Sequence, residues 1–123
     1  MINLKNKSPN LLVIGDLMID QYFRGESKRI SPEAPVQIIN IDTESMVLGG
    51  AGNVINNLRA MGANVDVLSV IGNDKNAAIL KDLLKAINVK TDYLVKEDNR
   101  ITSKKSRVIA SQQQVVRYDR ESL

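Results

Sequence analysis

The 123-residue sequence has no cysteine and no histidine. The first absence excludes a disulfide scaffold and thiol chemistry, the second a Ser-His-Asp triad, and the two together a zinc site built from those ligands. Any chemistry must run on carboxylates, amides, lysine and arginine. Aromatic residues are scarce: Tyr22, Phe23, Tyr93 and Tyr118 make up 3% of the chain. So few leave no stacking platform for single-stranded nucleic acid, and no nucleic-acid partner is expected. No apolar run approaches the roughly 18 residues of a membrane span, and Met1 to Asn10 is too polar for a signal peptide, so no membrane partner is expected and a cytoplasmic location is.

What is present is ordinary for one compact core: 43% hydrophobic residues, with 17 basic and 14 acidic side chains giving a net charge of +3. The two signs are interspersed rather than blocked. One domain, or one piece of a larger one, is the expectation for this length.

Leu11-Leu12-Val13-Ile14 is a continuous apolar run closed by Gly15-Asp16, the pattern of a short buried strand that opens into a loop. Gln21 to Pro35 mixes Gly25, Ser27, Ser31, Pro32 and Pro35, which forbids a helix and predicts an exposed excursion. Val36 to Ile41 alternates as a strand with one wet face, and Ser45 to Leu48 reads as another. Gly49-Gly50-Ala51-Gly52 then delivers the chain into a helix whose apolar positions are Val54, Ile55, Leu58 and Met61, ended by Gly62.

Val65 to Ile71 predicts a second buried strand, and Asp74 is among the cap candidates for a helix carrying Ala77, Leu80, Leu83, Leu84 and Ile87 on its apolar face. Strands are expected over Val89 to Val95, Thr102 to Ala110 and Gln114 to Tyr118, the last two joined by a Ser111-Gln112-Gln113 bend. The alternation of elements predicts an α/β fold with a partial, doubly wound, mostly parallel sheet, and residues 36–48 and 102–118 predict a second, smaller, half-exposed sheet. A parallel sheet of two or three strands leaves an edge and one face uncovered, and Asp119 to Leu123 carry no terminating signal, so a fragment is expected.

Three constellations could carry chemistry. Asp16 and Asp20 lie past the carboxyl end of the first strand, where open α/β sheets form their ligand crevice, and two acceptor side chains there suit the hydroxyls of a polyol. A turn cap and a solvated aspartate would explain the same positions. Gly49, Gly50 and Asn53 belong to a glycine turn at a helix start, which admits close approach of a polar or anionic ligand, or is simply a tight strand-to-helix connection. A dinucleotide fingerprint fits less well, because Ile55 replaces the third glycine and Asp66 begins its strand rather than ending it. Lys105 and Arg107 share one strand face by alternation, and Arg117 shares a face with Asp119 on the next. Paired, these strands would gather cations suited to a phosphate; a solvated basic face is the alternative.

These segments together resemble a known family. Val13-Ile14-Gly15-Asp16-Leu17-Met18-Ile19-Asp20-Gln21-Tyr22, then Arg29-Ile30-Ser31-Pro32-Glu33-Ala34-Pro35-Val36, then Gly49-Gly50-Ala51-Gly52-Asn53-Val54 look like successive motifs of the bacterial D-glycero-D-manno-heptose 7-phosphate kinases of the ribokinase superfamily. Thr102, Lys105, Arg107-Val108, Gln112-Gln113, Arg117, Asp119 and Glu121 continue the match from about Leu11 to the end, and Ile-Ser-Pro-Glu-Ala-Pro is its most specific piece.

The resemblance implies a ribokinase-like fold with a small β lid, and transfer of the ATP γ-phosphoryl group to O1 of heptose 7-phosphate for ADP-heptose and lipopolysaccharide core synthesis. It implies that Asp16, Asp20, Gly49, Gly50 and Asn53 hold the sugar, that Lys105, Arg107 and Arg117 line the sugar-phosphate pocket, that Arg29 and Glu33 sit on the lid, and that lid strands can pair two copies. Gly52 stands where an alanine is common. The family's Gly-Ala-Gly-Asp motif, with its catalytic aspartate, does not occur in the chain, and neither does the ATP-binding half of the sheet. The expectations are therefore no catalytic and no metal-binding residue here, ATP and Mg²⁺ as cofactors of the parent enzyme only, and little catalysis by these 123 residues alone. A non-catalytic sugar-phosphate binding module, a dimerisation piece and a kinase for another sugar remain as alternatives.

Overall fold

The structure, a computed structural model, describes residues 7–122. Its elements in chain order are β1 (Asn10–Ile14), β2 (Leu17–Ile30), β3 (Gln37–Gly50), α1 (Ala51–Ala60), β4 (Asn64–Gly72), α2 (Lys75–Ala86), β5 (Leu94–Glu97), β6 (Lys104–Ala110) and β7 (Gln113–Arg120). They form two sheets. One is parallel, in the order β1-β4-β5, and the other has the order β3-β2-β6-β7, with β2 antiparallel to β3 and parallel to β6. The α/β expectation and the parallel sheet are present, and the second sheet, expected to be the smaller, has four strands against three.

Both helices are buried into one core with the inner face of the parallel sheet and the base of the other sheet. Val65, Val67 and Ile71 of β4, Ile55 of α1, Leu80 and Leu84 of α2, and Leu17, Ile19 and Leu48 of β2 and β3 form one apolar cluster. Ile19, Ile55, Leu80 and Leu84 have no exposed surface, and each such side chain stabilises the fold by about 1.5–3 kcal/mol. Arg59 ties the far end of α1 to that of α2, its Nε–H donating to the Ile87 carbonyl at 2.9 Å and its Nη1 to that of Ala63 at 2.6 Å.

Several local expectations need correction. β1 and β4 are strands but not buried on both faces: Leu12, Ile14, Leu68 and Val70 are exposed on the side that neither helix covers. Gln21 to Ile30 is not an exposed excursion but the continuation of β2; only residues 31–36 loop out. Pro32 and Pro35 lack the N–H that a ladder needs and confine themselves to that loop, while Gly25 lets β2 press against the Asn40 backbone beside a register shift. The two strands expected over 36–48 are one strand of 14 residues. On α1 the buried positions are Gly52 and Ile55, with Val54 and Met61 exposed at 50% and 75%. The strand expected over Val89 to Val95 begins only at Leu94. The 111–113 bend is a tight hairpin in which Ser111 and Gln112 both adopt positive φ, 51° and 68°, the geometry that matches strand twist.

The turn signals hold. Gly62, at φ 90°, ends α1 with its N–H on the Arg59 carbonyl. Asp74 caps α2: its Oδ1 accepts from the Ala77 amide at 2.8 Å and its Oδ2 from the Thr102 amide at 2.9 Å, joining the helix start to the root of β6. Partial burial pushes the Asp74 carboxyl up, but the amide donors of Thr102 and Ala77 outweigh this and hold it below the usual carboxylate range. A lowered folded-state value means the contribution is present above the unfolded-state pKa and is lost as pH falls through the folded one. Asp74→Ala should therefore cost about 1–2 kcal/mol at neutral pH, with the wild-type and variant stabilities converging on acidification. Denaturant unfolding at several pH values would test it, and a gap that persists at low pH would overturn the account.

Candidate functional site

Strand alternation sorts the β3-β2-β6-β7 sheet into two faces. Leu17, Ile19 and Gln21 of β2 point into the molecule, where Ser106 Oγ donates to Gln21 Oε1 at 3.3 Å. Asp20, Tyr22 and Arg24 point to the opposite face. Register places Lys105 beside Asp20 and Arg107 beside Tyr22, and then Asp119 beside Lys105 and Arg117 beside Arg107. The hairpin thus gathers Lys105, Arg107 and Arg117 on one face, the outcome that the alternation of each strand allowed if the two were paired.

The cations do not stand free. Arg107 Nη1 donates to Asp20 Oδ1 at 2.7 Å, with both side chains about one-fifth exposed. Arg117 reaches Asp119 through two hydrogen bonds of 2.9 and 2.7 Å, and Lys105 lies 3.6 Å from Asp119 and 3.8 Å from Glu121. The hydrogen bond and charge of Arg117 hold the Asp119 carboxyl below its ordinary range, and Asp119 in turn raises Arg117. A phosphate entering here would have to draw Lys105 and Arg117 from these carboxylates.

The glycine turn abuts this face. Met18 pairs with Gly49 and Leu17 with Gly50 across β2 and β3. A Cβ on Gly49 would collide with the Asp20 carboxylate, reaching Cγ at 2.8 Å, and with Met18 Cγ at 2.9 Å. Gly50, at φ 58°, occupies the cap position of α1 without a side-chain cap bond, a conformation that L side chains rarely adopt. The Ala51 amide donates to the Asp16 carbonyl at 2.9 Å, which brings the loop after β1 to the start of α1. The Asp20 carboxylate and the Asp16 backbone carbonyl therefore both lie beside the Gly49-Gly50 turn, with Asn53 exposed in the first turn of α1. Arg29 and Glu33 are not part of it. Arg29 is nine residues further along β2 than Asp20, about 30 Å at strand rise, and Glu33 lies in the 31–36 loop, its amide on Ser31 Oγ.

Two residues of this face escaped the sequence reading. The guanidinium of Arg107 lies over the Tyr22 ring at 5.3 Å from its centroid, and that of Arg24 at 5.1 Å, both within cation–π range. The period-two series Asp20, Tyr22, Arg24 was the available signal, hidden by reading Gln21 onward as a loop.

A profile of the pfkB family of carbohydrate kinases matches residues 8–123. The chain belongs to the pfkB carbohydrate kinase family. Among curated pfkB relatives, the bifunctional protein HldE of Aliarcobacter butzleri is 64% identical over 118 residues, covering 96% of this chain and 25% of that protein. HldE of Sulfurimonas denitrificans is 60% identical over 119 residues, covering 97% and 25%. The chain thus spans about a quarter of the length of these relatives. Among solved structures, a carbohydrate kinase from Agrobacterium tumefaciens superposes with a TM-score of 0.72 at 20% identity, over 91% of this chain and 35% of that one. Arabidopsis thaliana ribokinase, solved with ribose and ATP, gives 0.66 at 19%, over 94% and 36%. These likenesses establish the ribokinase-like fold. No helix among the described residues is long and apolar enough to cross a membrane.

Gly49→Ala should lower stability by about 1–3 kcal/mol, the usual cost of forcing a methyl into a filled space, and displace Asp20 from Arg107. Denaturant unfolding together with the side-chain NMR signals of Arg107 would test this; unchanged stability and unchanged signals would show that the carboxylate yields without consequence.

Proposed function

We propose that this chain forms the sugar-binding part of a kinase that transfers the γ-phosphoryl group of ATP to O1 of D-glycero-D-manno-heptose 7-phosphate. The observation that carries the reading is Asp20: half-buried, oriented by Arg107 at 2.7 Å, and seated in space that Gly49 leaves open. A carboxylate fixed in this way accepts from neighbouring sugar hydroxyls with defined direction. Asp16 and the Gly49-Gly50 turn would complete the polyol contacts, with Asn53 at the mouth. Arg107, Lys105 and Arg117 would receive the 7-phosphate, exchanging Asp119 and Glu121 for a ligand of higher charge. The strands of the second sheet would act as the lid, with Arg29 and Glu33 at its tip, and their exposed edges offer a place where two copies could pair.

Two observations support assigning the remaining steps to other parts of the protein. Leu12, Ile14, Leu68, Val70 and Val95 are exposed on the outer side of the parallel sheet, a side that parallel sheets ordinarily cover. The relatives extend well beyond the matched quarter. Among the described residues no three carboxylates converge as a metal site. The contribution of this chain to phosphoryl transfer would be to hold the acceptor while ATP and its metal are bound elsewhere. A cytoplasmic setting, where ATP is available, goes with this reading.

Calorimetric titration with heptose 7-phosphate should show binding that weakens roughly ten-fold or more in Asp20→Asn and in Arg107→Met, the loss expected for one charge-assisted hydrogen bond. Equal affinity for the unphosphorylated heptose would remove the phosphate assignment. ATP turnover by the 123-residue chain would refute the division of labour.

A further inference from the structure

The reverse face of the second sheet carries a separate group of cations. Lys104 and Arg120 are direct cross-strand partners between β6 and β7, and alternation puts them on the side opposite Lys105 and Asp119. Like charges directly opposite one another destabilise a sheet. Nearby carboxylates do not relieve the repulsion. Asp119 and Glu121 contact Lys105 on the other face, Glu97 lies against Arg100, and Asp98 accepts from Asn73. Among the described residues, neither Lys104, Arg120 nor Lys75 has an ion-pair partner within 4.0 Å.

Lys75, the first residue of α2, joins Lys104 and Arg120 around a cavity of about 610 Å³ with Ile79 and Ile101 in its walls. This volume falls within the range of small-molecule sites. Asp74 is the acidic residue of the lining, and both its oxygens are occupied by the Ala77 and Thr102 amides. Among the described residues, cations from α2, β6 and β7 thus converge on one recess in which Asp74 is the single carboxylate, an excess of two positive charges.

We propose that this recess binds a compact polyphosphate anion, two linked phosphoryl groups presented either by inorganic pyrophosphate or by the phosphate chain of a nucleotide. One phosphoryl group would bridge Lys104 and the guanidinium fork of Arg120, and the second would reach the Lys75 ammonium. Occupancy replaces a cross-strand repulsion with charge-assisted bonds, so the ligand stabilises the junction between α2 and the lid sheet. The site lies on the opposite face from Asp20 and does not depend on the sugar assignment.

Thermal unfolding of the protein at constant ionic strength, with added pyrophosphate, orthophosphate, ADP or sulfate, tests the proposal in the wild type and in Lys104→Gln, Arg120→Gln, Lys90→Gln and Arg107→Met. Pyrophosphate should raise the wild-type Tm more than orthophosphate or sulfate does. Its apparent affinity should fall roughly ten-fold or more in Lys104→Gln and in Arg120→Gln, and stay unchanged in Lys90→Gln and Arg107→Met. Should one of the first two variants fail to fold, the other carries the test. A parallel response to ADP with the same variant sensitivity identifies a nucleotide as the source, and its absence identifies the inorganic anion. A shift that sulfate reproduces, that survives in Lys104→Gln and Arg120→Gln, or that disappears in Arg107→Met would overturn the proposal.

Discussion

Strand β2 has to satisfy two environments along one length, and the rest of the structure is arranged around that demand. Its first residues, Leu17 and Ile19, are buried against α1, α2 and the parallel sheet, whereas its later residues run out into a sheet that is open to solvent. Alternation lets one strand do both. The inward series anchors the sheet in the core, and the outward series Asp20, Tyr22, Arg24 presents charge from a backbone that the core holds still. Because β3 and β6 both pair with β2, the glycine turn and the basic hairpin inherit their positions from it.

The electrostatics follow from this placement. On the Asp20 face, Asp20, Lys105, Arg107, Arg117, Asp119 and Glu121 are interleaved so that each has an opposite charge at 2.7 to 3.8 Å, while Arg24 lies over the Tyr22 ring. Such a lattice keeps long side chains ordered without a ligand, and exchange of carboxylates for phosphate at a partly exposed site costs less than desolvating an isolated cation. The reverse face shows the opposite arrangement, with Lys104 facing Arg120 and the Asp74 carboxylate directed to the Ala77 and Thr102 amides. One hairpin therefore displays a balanced and an unbalanced cluster on its two sides, and only the unbalanced one has something to gain from an anion alone.

Glycine has two distinct uses beside Asp20. At Gly50 the requirement is conformational, a cap residue at positive φ; at Gly49 it is spatial, since any side chain would occupy the place of the Asp20 carboxylate. The pairing of Met18 with Gly49 and the bond from Ala51 to the Asp16 carbonyl bring these glycines to both aspartates. A segment that reads as a simple turn into a helix also sets the space in which the Asp20 carboxylate sits.

Local rules were enough to read much of this in the sequence. The extended runs of β1 and β4, the Asp74 cap, the Gly62 stop and the α2 face are encoded by side chains a few residues apart, where propensity and periodicity act directly; the burial expected for β1 and for both faces of β4 is not, because it depends on what covers the sheet. The shared face of Lys105 and Arg107 on one strand, and of Arg117 and Asp119 on the next, was legible for the same reason. What local pattern could not reveal was pairing across long separations. Gln21 to Ile30 looked like a loop because Ser, Gly and Lys in it have little strand preference of their own, and it is a strand because β3 and β6 supply hydrogen bonds on both sides. Only that pairing could place Arg107 on Asp20, 87 residues apart, stack Arg24 and Arg107 on Tyr22, and set Lys104 against Arg120, since strand register is a property of two segments and neither contains it alone.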